Sequence, residues 1–329
     1  MRIHWLEPER LSELRRLIDE HWRRGHVLAR DEELLRWQHP AREDGRLSVL
    51  VAEENARLVA MLGFVPFPAC VRDASGRGGW MTNWLVVPEA RGRRLGHALV
   101  RHALGSEFEL IGALGANAAT RAVLGRAGFV EARMYRWVRV FDADALAELL
   151  RGRDYPEEAW IAWRRRPRAV PEARPPDSFV GACRDERFRS WRYRRHPGFE
   201  YECLEADGGV AAYRVEGVRD SQARVARVVD FLGGHELAQE LEEALRAEDA
   251  VFADFSCASP GFGAPLEAVG FQREDLLPAE LPGRFQPLDF SDRPLVSCFW
   301  ADARLGGNSV FAGDDLYVTR ADSDLDRPN

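Results

Sequence analysis

The sequence predicts an α/β (α+β) protein made of two tandem copies of one unit, the second degenerate. Up to about Phe141 the chain alternates between helical and strand periodicity. Asp31 to Pro40 (DEELLRWQHP), followed by β-rich runs at Leu47 to Glu53 and Leu58 to Phe64, is echoed by Asp185 to Pro197 (DERFRSWRYRRHP), followed by Tyr201 to Glu205 and Val210 to Val215. Leu124-Gly-Arg-Ala-Gly-Phe-Val is then echoed, in the same order, by Leu266-Glu-Ala-Val-Gly-Phe-Gln. Repetition at two places in one order points to duplication. The expected divisions are 1–150 for the first unit, 151–177 for a linker, 178–313 for the second unit and 314–329 for an acidic tail.

Ile3 to Leu6 reads as a strand, and Pro8 to Trp22 as a helix with Leu11, Leu14, Leu17 and Ile18 on one face. Leu47 to Glu53 and Leu58 to Pro66 form a hairpin about Glu54-Asn-Ala-Arg57. Ser75 to Gly79 reads as a glycine-rich loop and Trp80 to Val87 as a strand. A helix carries Leu95, Ala98, Leu99 and Val100, and Glu109 to Leu114 is a short strand. Ala118 to Ala127 is helical, and Phe129 to Phe141 reads as one long strand. Arg164-Arg-Arg-Pro-Arg168 and Pro171 to Pro176 mark the linker, with a short helix at Glu157 to Trp163.

A chain of 329 residues, 46% apolar and 30% charged, can bury two cores and is too apolar for disorder. Its net charge of −7 argues against a general nucleic-acid binder. All 46 basic residues are arginine, which excludes lysine chemistry. Five scattered cysteines with no CxxC pair suggest neither a disulfide framework nor a metal site, and make a reducing cytoplasm the expected compartment. The start lacks the apolar core of a signal peptide. The longest apolar stretch, Leu58 to Val71, is broken by Pro66 and Pro68 and is too short to span a membrane.

The most informative segment is Trp84-Leu-Val-Val-Pro-Glu-Ala-Arg-Gly-Arg-Arg-Leu-Gly-His-Ala-Leu-Val100. It is a strand, a basic glycine-containing turn and an amphipathic helix. Such a turn exposes backbone N–H groups where the helix dipole also favours an anion. A pyrophosphate is expected over Arg91, Gly92, Arg93, Arg94, Leu95 and Gly96, next to His97.

Here the chain resembles the GNAT superfamily of N-acyltransferases, whose loop Arg/Gln-x-x-Gly-x-Gly/Ala cradles the pyrophosphate of acetyl-CoA. Arg91 and Gly96 match its ends, while Arg94 stands where a glycine is usual and can offer its N–H if its φ is not positive. Asn117, opening a helix that ends at Gly128-Phe129, matches a second signature beside the cofactor's arm. The family's frequent tyrosine acid is replaced by Leu124. The resemblance implies two tandem GNAT-like domains, each a mixed, mostly antiparallel twisted sheet flanked by helices. It implies acetyl-CoA or another short acyl-CoA as cofactor, held by the loop and by Leu85, Val86 and Val87. The second half lacks the basic loop, since Gly233-Gly-His-Glu follows its equivalent strand.

In such a fold an amine attacks the thioester directly, a backbone N–H of Leu85 to Val87 stabilises the oxyanion, and proximity supplies much of the rest. His26 and Asn83 are the candidate catalytic groups; His26 also reads as a helix cap, and Asn83 as the partner of a neighbouring backbone group. His39, Trp22 and Trp37 are acceptor-site candidates. In the tail, Asp322, Asp324 and Asp326 alternate, so an extended chain would point them one way, with Arg327 beside them, to grip a cationic acceptor. The tail, His26 to Asp31 and the tandem layout resemble one subgroup, the two-domain enzymes that acylate dTDP-linked amino-dideoxysugars. In that subgroup the acceptor lies between the halves, where Arg327 or Arg164 to Arg168 could meet its diphosphate. The expected partner is therefore a small-molecule amine, a dTDP-linked amino sugar in this resemblance, with no metal, nucleic acid or membrane, acting as monomer or homodimer. An aminoglycoside, a cysteinyl-sugar thiol precursor, or a non-catalytic CoA-responsive module are the other readings.

Overall fold

A computed structural model describes residues 1–150 and 178–324, apart from 207, 220, 279–280, 286–287 and 290–294, together with 326. The expected linker, including Arg164 to Arg168, lies outside the described residues, as does Arg327.

The first half contains β1 (Arg2–Leu6), α1 (Leu11–His21), α2 (Val27–Arg30), α3 (Glu32–Gln38), β2 (Leu47–Glu54), β3 (Arg57–Val71), β4 (Ala74–Val86), α4 (Leu95–Leu104), β5 (Leu110–Ala113), α5 (Ala118–Arg126), β6 (Val130–Arg133), β7 (Tyr135–Val140) and α6 (Ala143–Leu149). The second contains β8 (Val180–Ala182), α7 (Glu186–Arg189) with a π-helical turn over Ser190–Arg194, β9 (Glu202–Ala206), β10 (Gly209–Gly217) and β11 (Arg224–Leu232). It continues through α8 (His235–Ala247), β12 (Phe252–Cys257), α9 (Ala264–Ala268), β13 (Gln272–Arg273), β14 (Arg284–Phe285), β15 (Leu288–Asp289), β16 (Val296–Ala301) and β17 (Leu316–Tyr317). The apolar face of α1 is buried as its spacing requires, with Leu14 and Ile18 fully inaccessible. Asn55 and Ala56, both at positive φ, form the two-residue turn between β2 and β3. Among the described residues no helix is long and apolar enough to cross a membrane.

Two mixed sheets result, as the fold class predicts. One runs β1-β2-β3-β4-β5-β16-β6, with β8 on the far end of β3 and β17 beside β8. The other runs β9-β10-β11-β12-β7-β13. Each has a parallel pair in the same place, β4 with β5 and β11 with β12. In each, the next strand comes from the other half: β16 lies between β5 and β6, and β7 lies between β12 and β13. The run Phe129 to Phe141 is therefore two strands in two sheets, parted at buried Met134, not one. Strands are thus shared across the division expected at residue 150.

Two further expectations are corrected. Ser75 to Gly79 is not a loop but part of β4, where Gly78 leaves room for the Phe67 ring that a Cβ would meet at 2.1 Å. Cys70 on β3 and Cys183 after β8 are joined in a disulfide, Cα–Cα 5.2 Å, across 113 residues of chain. Nothing in the cysteine spacing announced that pair.

The echoed segments meet at the seam. Asp31 and Asp185 cap α3 and α7 in the same way, accepting from Leu34 N and Phe188 N. Six residues after each cap stand Trp37 and Trp191, whose rings stack at 4.7 Å. Trp37 Nε1 donates to Trp191 O at 3.1 Å and Trp191 Nε1 donates to Trp37 O at 3.3 Å, a reciprocal contact of the kind a twofold axis generates. The second echo is also repeated in geometry: Phe129 N donates to Leu124 O and Phe271 N to Leu266 O, with Gly128 and Gly270 both at positive φ.

His196 packs its ring 4.3 Å from Trp37 and accepts from Gly198 N and Phe199 N through Nδ1. Burial, then Arg192, lowers its ordinary 6.5 to about 3. The unfolded chain therefore binds a proton below about 6.5 that the folded chain refuses, so stability falls as pH drops from 6.5 towards 3. Urea midpoints at pH 7 and pH 5 test this: the loss between them should be smaller in His196→Phe than in the parent.

Candidate functional site

The ladder between β4 and β5 ends at Met81 and Ala113, and beyond it the strands part into a fork. On its other side β4 carries a bulge against β3 between Met61 and Gly63, where Asn83 sits at φ 44. Bulges re-aim side chains beside functional sites. Asn83 and its neighbour Thr82 are turned into a buried polar group with Gln38 and His39, which end α3. Asn83 Nδ2 lies 3.1 Å from His39 Nε2 and 3.1 Å from Thr82 Oγ1. Gln38 Nε2 lies 3.2 Å from the same ring nitrogen. His39 Nδ1 lies 2.9 Å from Phe64 O. Gly63 makes this possible, since a Cβ there would meet the imidazole at 2.5 Å.

The other lip of the fork is the loop from Val87 to α4. Gly92 and Arg94 both take positive φ, 77 and 59. The proviso that Arg94 φ not be positive is not met: it adopts the left-handed conformation of the glycine usual there, at a cost of roughly 1 kcal/mol. Helical bonding begins at Ala98 N to Arg94 O, so the N–H groups of Leu95, Gly96 and His97 point out of the first turn. Gly96 packs α4 onto β4, where a Cβ would stand 2.8 Å from the Trp84 ring. Arg91, Arg93 and Arg94 are exposed around this turn. Arg91 Nε donates to Val86 O at 3.2 Å, and Arg93 grips Glu54 with both terminal nitrogens. Leu85 and Val87 are buried and Val86 is half-buried, so only their backbone edge is offered to the fork. Asn117, exposed at the end of the β5 arm, caps α5 by accepting from Thr120 N.

The second sheet has the same fork with a different outcome. Its parallel ladder ends at Val228 and Phe255, and the chain's own tail enters the gap. Ala321 N donates to Val229 O, Ala258 N donates to Val318 O, and Thr319 bridges to Cys257. Asp230 accepts from Tyr317 Oη at 2.6 Å, and Arg184 joins Asp230 and Asp322 at 2.7 Å each. All three charged groups are buried. Asp326 is likewise internal, held by Arg214 and Tyr201 at 2.6 Å; against the effect of burial, Arg214 keeps its carboxyl below the usual carboxylate range.

This corrects the acceptor-site expectations. The tail bends through turns at 321–324 and does not align its carboxylates. Asp322 and Asp326 are structural ion-pair members, while Asp324 accepts from Ser323 Oγ. Trp37 is engaged by Trp191. His26 caps α2, accepting from Leu28 N at 3.2 Å, with its ring 5.6 Å from half-exposed Trp22. Leu124 is fully buried in the core. Asn83 and His39 thus meet at the β3–β4 bulge, and Leu85 to Val87 lead from it into the loop. The sequence reading missed Gln38, Gly63 and Thr82, which carry no local motif. It also missed Trp191, which stands at the offset of Trp37 and was findable from the repeat.

Residues 11–129 match the model of the acetyltransferase (GNAT) family. The first half is similar to that family over these residues. None of the curated proteins matches the chain. Among solved structures, the fold is similar to a GCN5-related N-acetyltransferase from Kribbella flavida (TM-score 0.55, 16% identity, 92% of this chain and 72% of that one). It is also similar to a conserved protein from Enterococcus faecalis V583 (0.53, 10%, 92% and 73%) and a GCN5-related N-acetyltransferase from Anabaena variabilis (0.50, 12%, 91% and 72%). At these identities the likeness is one of fold, and it extends over both halves.

The loop from Val87 to α4 fits the diphosphate of an acyl-CoA: outward N–H groups, a helix N-terminus and exposed arginines converge there. Gly96→Trp should weaken acetyl-CoA binding more than about 100-fold, the equivalent of roughly 3 kcal/mol. Calorimetry on the folded variant measures this, and an unchanged affinity would remove the loop from the site.

Proposed function

We propose that the GNAT-like first half transfers a short acyl group, acetyl in the first instance, from CoA directly to the amine of a small molecule, at one site per chain. The observation that supports this is the contrast between the forks: the first lies beside an anion-receiving helix N-terminus, and the second is filled by residues 317–322 of the same chain.

Acetyl-CoA, when bound, supplies an activated thioester carbonyl. Val87 N–H is donated to Val59 O on β3, so on this strand it is the Val86 N–H, on the opposite edge, that would face the carbonyl oxygen of the thioester. The N–H groups of Leu95, Gly96 and His97, with Arg91 and Arg94, would hold the CoA diphosphate. Asn83 lies at the β4 bulge next to this strand edge. With Leu124 in the core, that position would supply no proton to a departing thiolate, and the proton shed by an attacking amine would balance it.

A dTDP-linked amino sugar remains one acceptor within this class. Its support is narrower than the sequence suggested, because Trp37, Asp322 and Asp326 are spent on internal contacts. Thiol release from acetyl-CoA should be measured against free amino sugars, dTDP-amino-dideoxyhexoses and aminoglycosides. Release with at least one amine, abolished in Gly96→Trp, is the expected result. Release with none, despite acetyl-CoA binding, would favour a CoA-responsive binding module.

A further inference from the structure

One face of the second sheet is apolar: Leu237 and Leu241 of α8 cluster there with Ala226, Val228, Ala253 and Phe255. Alternation along the strands puts Arg227, Asp254 and Ser256 on the other face. Asp254 is fully buried, with Arg136 at 2.7 Å, Arg227 at 3.6 Å and Arg320 at 3.9 Å. Burial works against its charged form, but Arg227 and Arg136 hold the carboxyl down at about 2, so one anion stands among three cations. Arg136 has a second carboxylate in Glu274 at 2.9 Å, and Arg227 has one in Glu216 at 3.6 Å. Arg320 is the surplus cation.

Arg320 belongs to the tail segment that fills the second fork. It is 6% exposed, and its 3.9 Å approach to Asp254 is beyond hydrogen-bond reach. Among the described residues nothing accepts from its Nε. The Thr319–Cys257 bridge is antiparallel, so the next pair in register sets Arg320 opposite Ser256. Ser256 is 1% exposed, and its Oγ also has no partner among the described residues. A buried guanidinium short of an acceptor, beside a buried hydroxyl, is costly unless an accepting group stands between them. Burial, then Arg227, lowers the Arg320 guanidinium to about 9, as expected of a cation short of negative charge.

We propose that the second half binds a compact oxyanion, phosphate or the carboxylate of a small molecule, between Arg320 and Ser256. Arg320 Nε–H and the Ser256 hydroxyl donate to it, and the field of Arg136 and Arg227 favours its charge. Because Arg320 lies in the tail, the anion ties the tail to β12 and strengthens its hold on the second fork. The site does not depend on acyl transfer in the first half.

The test follows the Tm of the full chain, titrated with sodium phosphate and, separately, with sodium acetate, each replacing chloride at constant ionic strength. At least one should give a saturable rise, about 4 °C at roughly a hundredfold excess over half-saturation, that is lost in Arg320→Met. The anion with the lower half-saturation identifies the head group. Phosphate held by the loop of the first half is told apart, since Gly96→Trp removes that response and Arg320→Met leaves it. Ser256→Asp sets a carboxylate opposite Arg320; in chloride alone it should melt above the parent and respond to neither anion at this site. No saturable rise, a rise undiminished in Arg320→Met, or a Ser256→Asp chain no more stable than the parent would overturn the proposal. If Arg320→Met does not fold, the parent titrations and Ser256→Asp still decide.

Discussion

Each sheet of this protein is completed by a strand from the other half. β16 is hydrogen-bonded on both sides, to β5 and β6, and β7 is hydrogen-bonded on both sides, to β12 and β13. Withdrawing either strand would leave two ladders of backbone groups to be satisfied by water in the middle of a packed sheet. The halves therefore fold as one body, and the Trp37–Trp191 contact and the Cys70–Cys183 bond secure a seam that the exchange has already defined. The placing of α7 against α3 follows from it, and with it the environment of His39 at the end of α3.

The same physical constraint explains why one fold yields two outcomes. A parallel pair that stops short leaves a fork with open backbone edges, and such edges need a partner. In the first half the fork ends at a helix N-terminus ringed by arginines, suited to a dissociable anionic ligand. In the second half the partner is the tail, tied down by a buried network in which Arg184 joins Asp230 to Asp322. Removing one member of such a network strands the others without solvent, so the tail is a permanent occupant. Asp230 sits in the bulge region of β11 as Asn83 does in that of β4.

Much of this was legible in the sequence. The loop from Arg91 to Gly96 announced itself through glycine, arginine and the strand-to-helix change, and both echoes mark matching caps and turns. What was hidden depended on distance along the chain. Phe129 to Phe141 has one uninterrupted strand pattern, and only tertiary pairing divides it at Met134. Asp322 and Asp326 alternate as an exposed ladder would, but their partners Arg184 and Arg214 lie more than a hundred residues away. The φ of Arg94 was left as a condition in the sequence, and the loop imposes the left-handed conformation despite the side chain. His39 was visible as a candidate, but its partners Phe64 and Asn83 come together only through the β3–β4 bulge.

The number of acyl-CoA sites tests the central claim most directly. Isothermal titration of the intact chain with acetyl-CoA should give one site per chain, and none that survives Gly96→Trp. Two sites per chain, or one that persists in that variant, would mean that the fork of the second half is open and that the division of roles between the halves is wrong.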